Sequence, residues 1–184
     1  MAGNFLGISG SLRKASYNRK LVLEAGRLFG PLKLTEADIN LPLYDGDVED
    51  EAGIPDAVRL LAEQIMSADA IVVATPEYNQ SLSGVLKNAL DWVSRVEGRP
   101  WAGKPVALIS AAAGRSGGAR ASYALRLAMT PFRTKLLQGE LLVAAPAKAF
   151  DQSGKLTDER YLNSLTTLMD ELRETAELPK LERS

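Results

Sequence analysis

The sequence predicts an α/β fold built on a parallel sheet with helices on both faces. Three observations carry that expectation. Apolar runs that read as strands alternate with amphipathic runs that read as helices, β-α repeated five times along the chain. Two of the strand-like runs, Ala70-Ile71-Val72-Val73-Ala74-Thr75 and Pro105-Val106-Ala107-Leu108-Ile109-Ser110, show no polar alternation, the pattern of strands covered on both sides. Three strand ends run into loops of small, polar or glycine residues, at 10–18, 76–83 and 110–118. Open parallel sheets bind ligands beyond the carboxyl ends of their strands.

The elements follow in order. Residues 4–9 form the first strand. A helix over 18–29 counts Leu21, Leu23, Ala25 and Leu28 among its apolar positions and stops at Gly30-Pro31, a C-terminal glycine followed by a residue that cannot continue the helix. Residues 32–39 read as a short second strand. The turn formers of 40–47 lead into the acidic run Glu49-Asp50-Glu51, read as a solvated loop. Pro55 opens a second helix, in which Val58, Leu61, Ala62 and Ile65 recur at i, i+3, i+4 and i+7. The third strand, 70–75, is followed by a helix over 83–96. The fourth strand, 105–110, is followed by a flexible polar loop and a helix over 119–130, halted by Pro131. The fifth strand is 140–144, with Lys148 to Phe150 as a possible extension. A last helix over 158–177 carries the stripe Tyr161, Leu165, Leu168 and Leu172.

The totals narrow the chemistry. A chain of 184 residues suits one domain with a substantial core, and 46% hydrophobic with 24% charged residues is ordinary for a globular protein. Net charge is −1, which argues against a broad nucleic-acid or anionic-membrane surface. There is no cysteine and no histidine. That removes thiolate catalysis, the Ser-His-Asp triad and the commonest metal ligands, so no metal site is expected. Nothing resembles a secretory signal or a run of the ~20 apolar residues that spans a bilayer, so the expected compartment is the cytoplasm.

The opening segment carries the clearest chemical signal. An apolar strand stops at Gly10-Ser11-Leu12-Arg13-Lys14-Ala15-Ser16-Tyr17-Asn18, and a helix begins at once. The free N–H groups and positive dipole end of that helix make an anion site. Ser11, Ser16 and Asn18 add donors, and Arg13 adds a planar fork suited to phosphate. The loop is neither a Gly-Lys-Ser/Thr phosphate loop nor a Gly-x-Gly-x-x-Gly fingerprint. Helix capping by Ser16 or Asn18 is the structural alternative.

Gly10-Ser11-Leu12-Arg13-x-x-Ser16-x-Asn18, then Pro76-Glu77-Tyr78-Asn79, then Ser83-Gly84-Val85-Leu86-Lys87-Asn88-Ala89-Leu90-Asp91-Trp92 closely resemble the NADPH-dependent FMN reductase family, in register over about residues 4–150. The resemblance implies a flavodoxin-like three-layer α/β/α sandwich whose five-stranded parallel sheet has the order 2-1-3-4-5. It implies that Ser11, Arg13, Ser16 and Asn18, with Leu12 between them, hold the FMN phosphate. By the same likeness Pro76, Glu77, Tyr78 and Asn79 lie along the flavin ring, largely through backbone contacts, and Ser110 and Gly114 belong to the segment at the pyrimidine edge. Arg95 is a candidate for substrate or nicotinamide phosphate, and Arg115, in its glycine-flanked loop, is a substrate-side candidate for a nucleotide or acidic partner. A surface role is the alternative for each. Lys87, Asn88, Asp91 and Trp92 read as braces for a loop or a subunit interface.

The expected function is FMN-dependent oxidation of NADPH or NADH, by alternate use of one flavin face, with a quinone, free flavin, azo compound, chromate or ferric complex as acceptor. No catalytic side chain is expected, because the cofactor carries the hard chemistry. The rival readings are a flavodoxin-type one-electron carrier, which the near-neutral charge disfavours, and a flavin-binding module without turnover. The resemblance further implies a homodimer or homotetramer.

Overall fold

A computed structural model describes residues 3–181. Its strands are β1 (Asn4–Ser9), β2 (Lys33–Ala37), β3 (Ala70–Ala74), β4 (Pro105–Ala112) and β5 (Lys135–Ala144). Its helices are α1 (Tyr17–Phe29), α2 (Gly46–Ala52), α3 (Asp56–Ser67), α4 (Gly84–Ser94), α5 (Ala119–Met129), α6 (Pro146–Ala149) and α7 (Glu159–Thr175), with a 3-10 turn at Thr130–Phe132. All five strands are parallel, in the order β2-β1-β3-β4-β5. This is the expected flavodoxin-like sandwich.

The sheet divides the core in two. On one face Phe5, Val72, Ala107 and Ile109 meet α1 and α7 through Leu21, Ala25, Leu165, Leu168 and Leu172. The Phe5 and Phe29 rings stack there at 4.0 Å. On the other face Leu6, Ile8, Ile71, Val73 and Leu108 meet α3, α4 and α5 through Leu61, Ile65, Leu86, Val93 and Leu125. Alternate residues of each strand therefore face opposite cores, which is why β3 is apolar at every position. Leu23 departs from the helix reading: it is exposed on α1, and Val22 and Phe29 fill that face instead.

Helix ends follow local chemistry. Ser16, Asp45, Ser83 and Asp158 each accept a backbone N–H of the helix they precede. At the far end of α1, Arg173 of α7 donates Nη1 to the Phe29 carbonyl at 2.6 Å and Nη2 to the Pro179 carbonyl at 2.6 Å, with its guanidinium 5.2 Å from the Phe29 ring centroid. A buried cation thus sits at the negative end of a helix dipole.

Three expectations are corrected. The acidic run is not a loop but lies in α2, because Asp45 caps Asp47 N–H and acidic residues in a first turn suit the helix dipole. β5 begins at Lys135 rather than 140. The polar residues Gln138 and Gly139 hide its first half, and the register with β4 shifts between the Val106–Leu136 and Leu108–Glu140 pairs, as an edge strand tolerates. Residues 146–149 do not extend β5 but form α6, because Pro146 cannot donate to a ladder and sets the first turn of a helix.

Candidate functional site

The carboxyl ends of β1, β3, β4 and β5 surround a cleft of about 500 Å³. The β1 loop contributes Ser11, Arg13, Ala15 and Ser16, and the start of α1 adds Tyr17 and Asn18. The β3 loop contributes Pro76, Glu77 and Tyr78, and the end of β4 contributes Ala111, Ala112 and Ala113. A fourth wall comes from Ala145, Pro146, Ala147 and Lys148. The volume lies in the range of small-ligand and cofactor sites, and the mix of apolar walls with a few convergent polar groups is characteristic of them.

The loops are laced to one another by hydrogen bonds from residues far apart in sequence. Gly10 N–H donates to the Ala74 carbonyl at 2.7 Å, and Ser83 Oγ donates to the Gly10 carbonyl at 2.6 Å. Ser83 also accepts Leu86 N–H at 3.3 Å, so one hydroxyl caps α4 and fixes the start of the β1 loop. Asn18 Nδ2 donates to the Ala111 carbonyl at 2.9 Å, and Ala111 N–H donates to Asn18 Oδ1 at 2.9 Å. Ser110 Oγ donates to the Thr75 carbonyl at 2.6 Å. Glu77 Oε2 accepts the N–H groups of Arg120 at 3.1 Å and Ala121 at 3.4 Å. Such lacing holds the cleft open in one shape before any ligand arrives.

The β3 loop is a tight hairpin. Tyr78 and Ser81 exchange both backbone hydrogen bonds, at 3.1 and 3.0 Å, and the two residues between them, Asn79 (φ 49°) and Gln80 (φ 63°), are left-handed. Two consecutive positive φ values define a type I′ turn, which asparagine tolerates well. Tyr78 is 52% exposed. In the β4 loop, Gly118 (φ 97°) is required on two counts, because a Cβ there would lie 2.0 Å from Ser110 Oγ.

The positions expected from the sequence separate into two groups. Ser11, Arg13, Ser16, Pro76, Glu77 and Tyr78 line the cleft. Asn18 lines it too, but is only 3% exposed, and its side chain clamps α1 to β4. Ser16 Oγ accepts Asn18 N–H at 3.2 Å, the capping role weighed against phosphate binding. Tyr78 N–H is engaged by the hairpin rather than free for a ring atom. Leu12, Asn79, Ser110, Gly114, Arg95 and Arg115 do not line the cleft. Leu12 faces a smaller neighbouring hollow of about 310 Å³. Ser110 is buried as a bridge between β3 and β4. Gly114 and Arg115 are exposed in the β4–α5 loop.

Arg95 belongs to a separate cluster. Its Nε lies 2.9 Å from Glu49 Oε2, and Tyr44 Oη donates to the same oxygen at 3.0 Å. The hydrogen bond from Arg95 holds the Glu49 carboxyl below its ordinary range, the bond to Glu49 raises the Tyr44 phenol, and Glu49 in turn raises Arg95. Asn88 receives Tyr44 N–H and donates to the Pro42 carbonyl, and Trp92 Nε1 donates to that same carbonyl at 2.8 Å. Asn88 and Trp92 are therefore braces, holding the segment before α2.

Two features of the cleft escaped the sequence. One is the Ala145–Lys148 wall. Its signal was available, since Ala-Pro directly after a parallel strand marks a turn at a ligand-binding edge. Ala145 is left-handed (φ 43°), a strained residue on the cleft wall. The other is the Glu77 cap of α5, which joins positions too far apart in sequence for any local pattern to reveal.

With this geometry in hand, comparison with known proteins is specific. The model of the NADPH-dependent FMN reductase family matches residues 4–148. An NAD(P)H-dependent FMN reductase of Pseudomonas aeruginosa is 47% identical over 158 residues, covering 84% of this chain and 85% of that protein. A quinone reductase of Escherichia coli is 39% identical over 170 residues, covering 85% of this chain and 86% of that protein. The solved structure of FerB, a flavoenzyme NAD(P)H:(acceptor) oxidoreductase from Paracoccus denitrificans, superposes with a TM-score of 0.84 at 34% identity, covering 95% of this chain and 97% of that one.

Proposed function

The chain belongs to the NADPH-dependent FMN reductase family, and we propose that it is an FMN-dependent NAD(P)H oxidoreductase whose acceptors are quinones and other small oxidants. The observation that carries this reading is the pre-formed cleft, with Arg13 and the amino end of α1 at one wall and the β3 hairpin at another. The donor set fits FMN. Arg13, Ser11 and the first N–H groups of α1 suit a phosphate. The small, apolar side chains of Pro76 and Ala111 to Ala113 suit a planar ring.

FMN supplies the capacity to accept hydride from a nicotinamide and to return electrons to an acceptor. The chain's own work is binding and orientation. Arg13 would neutralise the phosphate and Ser11 would donate its hydroxyl to it, while the α1 dipole would add field in the same direction. Pro76, Glu77 and Tyr78 would lie along one side of the ring, and the Glu77 cap stops that hairpin from drifting away from α5. Ala111 to Ala113 present small side chains, so a bound ring could approach the backbone there. No side-chain acid or base is assigned. A cleft that leaves one side of the bound ring uncovered would admit the nicotinamide and then the acceptor in turn, a ping-pong order. Free flavin, azo compounds, chromate and ferric complexes are further acceptors of that open face.

The reading extends to a homodimer or homotetramer in the cytoplasm, where NAD(P)H is supplied. Tyr123 (67% exposed) and Leu127 (76% exposed) lie one helical turn apart on α5, the helix that Glu77 ties to the cleft. An apolar pair of this kind favours burial against a second copy. Sedimentation that gives only monomer removes this part.

The test of the main reading is anaerobic. Protein loaded with FMN is mixed with NADPH or NADH, and flavin absorbance is followed before and after adding a quinone. Bleaching by the nicotinamide and recovery with quinone support the reductase and rank the two donors. Flavin that binds but stays oxidised under both nicotinamides overturns it.

A further inference from the structure

The fourth wall of the cleft, residues 145–148, is a short excursion of the chain between β5 and α7. It starts at a kink. Ala145 is left-handed (φ 43°, ψ 57°), a conformation that a Cβ disfavours. Strained backbone of this kind persists only where its surroundings hold it.

The hold comes from another element. Tyr161 lies in the first turn of α7, and its ring packs against the core on the α1–α7 face. Its hydroxyl oxygen accepts the N–H of Ala144, the residue before the kink, at 3.1 Å. β5 is the edge strand of the sheet, so the phenol acts as a side-chain acceptor where no further strand lies. Asp158 caps the turn that carries Tyr161 by accepting Arg160 N–H at 3.0 Å and Tyr161 N–H at 3.4 Å. The phenol therefore reaches Ala144 from a fixed backbone.

The far end of the wall is fastened separately. The Ala149 carbonyl accepts Thr157 N–H at 2.8 Å, and the Phe150 ring lies 5.6 Å from the Tyr17 ring at the start of α1. Between these points the wall closes on itself, with Lys148 N–H donating to the Ala145 carbonyl at 2.9 Å and Phe150 N–H to the Pro146 carbonyl at 3.2 Å. Where that closed turn sits depends on where it begins. It begins at Ala144, which pairs with Ala112 of β4, itself a cleft residue.

We propose that Tyr161 is a positioning residue for the cofactor cleft: its hydroxyl, bound to Ala144 N–H, holds the strained turn that sets residues 145–148 against a bound flavin. The proposal rests on the reading of the cleft as an FMN site. Tyr161 does not itself line the cleft, so it acts through the backbone alone. A packing role would be met equally well by phenylalanine, because the ring would stay in the core and the hydroxyl would have no task.

The test is a cycle of four full-length proteins: the parent, Tyr161→Phe, Ala145→Gly and the double variant. Tyr161→Phe is expected to weaken FMN about fivefold, the worth of one neutral hydrogen bond. The titration is run well below the melting midpoint, where a change in stability alone does not move affinity. Glycine takes the left-handed conformation without strain, so in the Ala145→Gly background the same loss is expected to shrink to less than about twofold. Hydrogen exchange on the FMN-free proteins reads the wall directly, and the Lys148 and Phe150 amides are expected to lose about fivefold in protection in Tyr161→Phe. Unchanged FMN affinity in Tyr161→Phe overturns the proposal. So does a loss of the same size in the glycine background, or unchanged exchange at Lys148 and Phe150. A parent that takes up no FMN overturns the cofactor reading instead, and the exchange result then decides alone whether Tyr161 shapes the cleft.

Discussion

Asn18 and Ala111 exchange two hydrogen bonds, each 2.9 Å long, which bolt the first turn of α1 to the end of β4. Asn18→Ala leaves a buried N–H and a buried C=O without partners, at about 2–4 kcal/mol. For a chain of this size that lowers the thermal midpoint by about 5–15 °C. Asn18→Asp does not rescue it, because the carboxylate cannot donate to the Ala111 carbonyl. Calorimetric melts of the three proteins check the ranking.

Glu77 stands where a side-chain cap for α5 is otherwise lacking, since Gly118 at its N-cap has none. Glu77→Ala is expected to lower stability by about 1 kcal/mol. It also frees the β3 hairpin, so FMN binding weakens. Glu77→Gln keeps an acceptor and recovers most of both effects. Urea unfolding and FMN titration on the pair provide the measurement, and an alanine variant that binds FMN like the parent sinks the coupling.

Arg13 is the cation expected to meet the cofactor phosphate. Arg13→Ala should weaken FMN about 10- to 100-fold, the scale of a charge-assisted bidentate contact. Riboflavin, which has no phosphate, should bind both proteins alike. Equal losses for the two flavins would move Arg13 away from the phosphate.

The Tyr44–Glu49–Arg95 cluster gives a pH dependence with a defined sign. The native carboxyl of Glu49 is held below its ordinary range by Arg95. A depressed native pKa contributes stability that is fully present above the ordinary glutamate value and is lost as pH falls through the depressed one. The hold on α2 therefore persists through neutral pH and releases in acid. Hydrogen exchange of α2 amides, measured from neutral to acid pH with Arg95→Gln as control, checks it. The control should show low protection factors, relative to the intrinsic exchange rate, at every pH.

Much of this molecule was legible before any coordinates. Strands such as Ala70–Ala74 and helices such as α3 announce themselves by local periodicity, and the loop-strand-loop order places the cleft. What was hidden depends on distant partners. Nothing near Asn18 indicates that its carboxamide turns toward Ala111, and nothing near Ser110 indicates that its hydroxyl faces Thr75 rather than a ligand. Arg95 looked available because its partner Glu49 lies in a run that reads as solvent-facing loop. The second half of β5 was seen and the first half missed, because Gln138-Gly139 interrupts the apolar pattern at a sheet edge.

The strand order also dictates when the cleft can come into being. β1 lies between β2 and β3, and Phe5 pairs with Ala70, so the central pairing waits until more than a third of the chain is available. The clamp from Asn18 must then wait for Ala111, and the fourth wall for Pro146. Contacts this distant in sequence close large loops and make folding slow. During synthesis the opening loop therefore leaves the ribosome early but gains its cofactor-ready shape late. A nascent or truncated chain that ends before β4 is an opening loop without a pocket.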